Sequence, residues 1–142
     1  TIMLKTINPL LTGDLLALLA DMGHGDDIAI VDANFPADSM AQRLVRLPGI
    51  TATDALRAVL SLLPLDDFVD QPAAAMDAPG ERPPIYPEFE AALAAAEGRP
   101  LTLEPVERFA FYERTRAAYA VIATGERRLY ANIILKKGVL RS

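Results

Sequence analysis

"TGDLLALLADMGHGDDIAIVD", residues 12–32, decides the fold class. Its first half has a helical period: Leu15, Leu18, Leu19 and Met22 recur on one face, Asp14 falls in the first turn, and Thr12 stands at the N-cap. Gly23 is placed to close the helix in the left-handed conformation that a side chain opposes. The period then changes. "IAIVD" is continuously apolar and partly β-branched, which marks a strand covered on both faces.

The same alternation continues along the chain. "ANFPADSM" (33–40) reads as a loop broken at Pro36, and "RLVRL" (43–47) as a short strand. "TDALRAVLSLL" (53–63) reads as a helix capped by Thr53, with Leu56, Val59, Leu60 and Leu63 inward. "PAAAM" (72–76) reads as a short strand. "DAPGERPPIYP" (77–87) is a proline-rich loop and the one candidate for a mobile flap, and "EFEAALAAAEG" (88–98) is a helix. "RFAFYERTRAA" (108–118) is a further helix. "YAVIATG" (119–125) and "YANIILKKG" (130–138) are strands around a turn at "ERRL". Helices alternating with apolar strands predict a single α/β domain over residues 1–142, with a largely parallel central sheet flanked by helices.

The 142 residues are 51% hydrophobic and 23% charged, a globular balance. With 19 acidic against 14 basic residues the net charge is -5, and the strongest basic clusters are pairs such as Arg127-Arg128 and Lys136-Lys137. That argues against a nucleic-acid partner. The longest wholly apolar runs, "LLALLA" and "AALAAA", fall well short of the roughly 20 residues that span a membrane. The first residues lack the pattern of a secretory leader. The absence of cysteine fits a cytoplasmic, soluble protein.

Chemistry centres on His24, the one histidine, set between Gly23 and Gly25. The flanking glycines leave the imidazole uncrowded, and histidine alone titrates near neutral pH without tuning. Asp32 ends a buried strand, where α/β sheets tend to bind ligands. It could equally cap the following loop by bonding the backbone near Asn34. Tyr130 and Asn132 open the last strand with a phenol and an amide that suit hydroxyl recognition. Arg108 stands at a helix start with glutamates nearby, where a surface ion pair is the ordinary explanation. Phe109, Phe111 and Tyr112 read as core or interface, and Asp26 and Asp27 as solvated loop charges. No phosphate loop, nucleophile elbow or histidine metal cluster is present in the sequence, so neither cofactor nor metal is expected. Proton transfer or binding remains.

Six segments in order, "LKTINPLL", "ADMGHGDDI", "DANFPA", "RFAFYER", "AVIATGE" and "YANIILKKG", resemble the fucose mutarotase and ribose pyranase family, most closely its L-fucose branch. Arg108 carries that choice, because ribose pyranases tend to have a histidine there. The resemblance implies interconversion of the anomers of free L-fucose without a cofactor. It implies His24 as acid/base, and sugar contacts from Asp32, Arg108, Tyr130 and Asn132. It also implies a closed homo-oligomeric ring, commonly a decamer, with sites at subunit contacts. A ribose pyranase and a non-catalytic sugar-binding protein of the same fold are the alternatives. Asn34 and Asp38 depart from the family, where histidines can stand, and residues 76–86 match it poorly. One geometric tension follows. From Ile28 to Asp32 a strand rises about 13 Å at ~3.3 Å per residue, longer than a pyranose ring. The expected resolution is a site in which His24 and some of the sugar-binding groups come from different subunits.

Overall fold

The computed structural model describes residues 4–141. The helix expected from the opening stretch is α1 (Gly13–Asp21), with the Thr12 hydroxyl accepting from Leu15 N–H. It ends without a left-handed residue: Met22 is extended, and the positive φ falls two residues after Gly23, at Gly25 (φ 86°). β1 (Asp27–Val31) follows, then a one-turn helix α2 (Ala37–Met40) inside the segment read as loop, and β2 (Leu44–Leu47). α3 (Ala52–Leu60) is capped by Thr51, not Thr53. The Thr51 hydroxyl accepts from Asp54 N–H, while Thr53 is buried in the first turn. β3 (Ala73–Met76) is the alanine-rich strand. α4 (Ile85–Glu97) begins within the proline-rich segment and closes at left-handed Gly98 (φ 72°). β4 (Glu104–Val106) has no apolar run to announce it and was not foreseen. α5 (Arg108–Ala117), β5 (Ala120–Thr124) and β6 (Ile133–Lys136) complete the chain.

The six strands form one sheet in the order β2-β5-β1-β6-β3-β4. β1, β2 and β5 run parallel to one another, as do β3 and β4, and β6 is antiparallel to both its neighbours. The sheet is therefore largely parallel, as expected. The last two strands are not neighbours, because β1 lies between them. Alternation along each strand divides the core. Ile28, Ile30, Ile133 and Leu135 face α1, α3 and α4, whereas Ala29, Val31, Ala74 and Ile134 face α2 and α5. No helix among the described residues is long and apolar enough to cross a membrane.

Two junctions admit no side chain. A Cβ at Gly125 would press on the Gly49 backbone, and one at Gly138 would overlap the Leu65 carbonyl oxygen. Gly138 N–H donates to Pro64 O (2.8 Å), which docks the 64–66 segment beside β6. Gly138→Ala is expected to destabilise the fold by roughly 1–3 kcal/mol, the usual cost of overpacking, in a urea titration. An unchanged midpoint would show that this junction yields freely.

Candidate functional site

The directions of the strands decide which side chains meet. Asp32 follows the carboxyl end of β1, Met76 ends β3, and Arg108 stands two residues beyond β4. β6 runs the other way, so the residues just before it arrive at that same end of the sheet. Together they line a concavity of about 170 Å³ formed by Asp32, Asn34, Phe35, Met76, Arg108, Tyr112, Leu129, Tyr130 and Asn132. Four of the five residues singled out from the sequence are thus gathered in one place. Tyr130 and Asn132 precede the last strand and do not open it. Tyr130 takes a left-handed backbone (φ 59°), which a bulky residue adopts only when its surroundings hold it there.

Asp32 caps the following loop, one of its two expected roles, and also lines the concavity. Its Oδ1 accepts from Asn34 N–H (3.0 Å), shaping the loop, and the carboxyl also faces the concavity. Burial raises its pKa, against the opposing pull of the Asn34 and Ala131 N–H groups and the Asn132 side chain. Asn132 is buried and uses its Oδ1 to accept Asp32 N–H (2.8 Å). Arg108 is not in the surface ion pair expected of it. Glu107 spends its carboxylate on the N–H groups of Phe109 and Ala110, capping α5, and Arg108 Nε donates to the Tyr112 hydroxyl (3.1 Å). Tyr112, read from the sequence as packing, lines the site. Only its spacing four residues after Arg108 could have flagged it. Asp38 lies outside the concavity, paired with Arg46 (3.2 Å).

His24 stands at the opposite end of the sheet, before β1. That strand alone spans about 13 Å at ~3.3 Å per residue. Its Nε2 is 3.1 Å from Oδ1 of Asp66, which sequence reasoning passed over. The histidine side chain is 44% exposed and the aspartate's only 6%. Burial alone would raise the Asp66 carboxyl, but Phe68 N–H and the His24 ring outweigh it and hold it below its usual range. The His24 ring also packs against Phe68, with centroids 5.2 Å apart. Two lysines secure the loop: Lys137 Nζ donates to Leu19 O and Met22 O at the end of α1, and Lys136 Nζ donates to Gly25 O. Asp27 is not a solvated loop charge, being held in β1 by Lys136 (2.9 Å) and Arg114 (3.5 Å).

Each half carries exposed apolar side chains. Phe68 is 68% exposed beside His24, while Phe109 (64%) and Leu129 (67%) stand at the other end, Leu129 lining the concavity itself.

The description of the RbsD / FucU transport protein family fits residues 5–140. The chain is 48% identical to the fucose mutarotase of Mus musculus, over 96% of this chain and 95% of that one. Its fold superposes with a TM-score of 0.92 on the crystal structure of the Streptococcus pneumoniae fucose mutarotase in complex with L-fucose. The two are 42% identical, over 97% of this chain and 100% of the other. Bacillus subtilis RbsD complexed with D-ribose is more distant, at a TM-score of 0.70 and 28% identity over 98% and 100% of the two chains.

Proposed function

The chain belongs to the RbsD / FucU transport protein family, and from that premise we propose that it is a fucose mutarotase, interconverting the α and β anomers of free L-fucose. The observation that carries this reading is the single concavity in which Asp32, Arg108, Tyr130 and Asn132 converge. It offers a carboxyl, a guanidinium, a phenol and an amide around one concavity, groups suited to a monosaccharide's hydroxyls, and charged partners strengthen such hydrogen bonds. Phe35 and Met76, which also line it, give apolar surface suited to the C5 methyl of a 6-deoxy sugar. The greater likeness to fucose mutarotases than to the ribose-bound relative supports the same choice.

Mutarotation takes a proton from the anomeric hydroxyl and returns one to the ring oxygen. The C1–O5 bond breaks to give the aldehyde, the carbonyl turns about C1–C2, and closure on its other face gives the other anomer. His24 is the proposed acid/base: Asp66 holds one ring nitrogen, which leaves the other to exchange the proton. A site that needs both ends of the sheet requires two chains. We place it where the His24 end of one subunit meets the Asp32 end of the next, the exposed apolar groups at each end making a heterologous contact that closes a ring. A cytoplasmic location is part of this reading.

The direct test is exchange NMR on the anomeric protons of equilibrated L-fucose, with D-ribose in parallel. Accelerated fucose exchange is the expected result. Acceleration of ribose alone would make the protein a ribose pyranase, and binding without acceleration would make it a non-catalytic sugar-binding protein.

A further inference from the structure

Glu126 is 5% exposed, lies outside the concavity, and has no part in the proposed proton transfer. A buried carboxylate is costly unless fully partnered, and this one is. It accepts from Ala52 N–H at the start of α3 (3.3 Å) and from the backbone N–H groups of Arg127 (3.1 Å) and Arg128 (3.2 Å). The Arg128 guanidinium adds two contacts, Nε at 3.1 Å and Nη2 at 3.0 Å. That same guanidinium forks onto Glu88 of α4, at 2.8 and 3.3 Å. The backbone of Glu126 is equally engaged. Its carbonyl accepts from Ala33 N–H (2.8 Å), the residue after Asp32. Its N–H donates to the Thr124 hydroxyl (3.2 Å), which in turn donates to Val31 O (2.7 Å).

The network therefore joins α3, α4, the end of β1 and the 125–132 turn. It stops two residues short of Tyr130, whose left-handed backbone needs external support. We infer that Glu126 and Arg128 are positioning residues, a clamp that fixes the turn so that Tyr130 and Asn132 meet the sugar beside Asp32. The inference rests on the reading of the concavity as the sugar site. A helix cap alone would not require the Arg128 fork onto Glu88, and a surface ion pair would not require Glu126 to be buried. Arginine suits this span because its planar guanidinium meets each carboxylate with paired N–H donors, a geometry the compact ammonium of a lysine lacks.

Arg128 is the variant of choice, because it is half exposed and its loss still leaves Glu126 the N–H groups of Ala52, Arg127 and Arg128. In Arg128→Ala, KM for L-fucose is expected to rise about tenfold with kcat within about twofold, the signature of lost binding common to ground and transition states. Arg128→Lys should fall between, keeping charge without the fork. A merely structural role would lower the melting temperature and the active fraction and leave KM unchanged; that outcome overturns the clamp. A second readout needs no sugar. Amide exchange at Asp32 and Ala33, whose N–H groups bond Asn132 and Glu126, should accelerate at least tenfold in Arg128→Ala, since local opening governs exchange. Unchanged exchange would overturn the clamp even if KM moved. Wild-type protein that neither binds nor exchanges L-fucose would overturn the sugar reading instead, with amide exchange still deciding whether the turn is clamped.

Discussion

His24→Ala is expected to slow α/β exchange of L-fucose by roughly 10²–10⁴-fold, the range that one general acid/base supplies. Sugar affinity should stay within about twofold, because a group that acts on the proton in flight contributes to the transition state more than to the ground state. In the proposed role His24 has no second histidine to replace it. His24 is the one histidine of the chain, its ring is held by a buried carboxylate, and the loop that carries it is tied down from both flanking lysines. Asp66→Asn should give a smaller loss than His24→Ala, since the ring remains but its orientation is no longer enforced by charge. The measurement is saturation-transfer NMR at fixed pH and buffer, with affinity read separately by calorimetry. Full activity in His24→Ala would move proton transfer to Asp32, Tyr112 or Tyr130, or to a water between them.

The second large effect is a recovery. His24→Ala and Asp32→Asn should each be inactive alone, and co-expressed subunits should regain about a quarter of wild-type exchange. In a ring of heterologous contacts, half the sites draw His24 from an intact donor and half of those meet an intact Asp32. Asparagine is chosen because its amide oxygen can still accept Asn34 N–H and keep the loop in shape. If each site were built within one chain, the mixture would stay as inactive as its parts. The separation of His24 and Asp32 along β1 makes the first outcome the expected one.

Much of this was legible in the sequence because it depended on local chemistry. The α1–β1 unit was announced by a change of hydrophobic period, and all six segments resembling the family fell in order. What failed were choices that only tertiary packing makes. Thr51 and Thr53 are both good caps by type, and burial of Thr53 against the core settled the helix start. β4 is three residues with a proline in the middle, and it exists because β3 offers an edge beside it. In the site, Asp32, Arg108, Tyr130 and Asn132 could be named but not brought together, because their meeting follows from the reversed direction of β6. Asp66 stood in "LPLDDFVD" among other acids, with nothing local to distinguish it; a non-local contact across 42 residues gave it its partner. Likewise Tyr112 was sorted with its aromatic neighbours, yet Phe111 is core, Phe109 is exposed, and Tyr112 offers Arg108 a hydrogen bond.

The central place of β6 also sets the order in which the molecule can be made. Every other strand precedes β6 in the chain, so the parallel ribbons β2-β5-β1 and β3-β4 can be joined only once residues 133–136 are in place. Until residues 133–136 arrive, β1 and β3 each present an open, apolar edge to the cell, the kind of template on which strands of other chains pair. β6 both joins those edges and brings the turn carrying Tyr130 and Asn132 beside Asp32. Chains truncated before residue 133 should be the ones that engage chaperones, because β1 and β3 then keep their open edges.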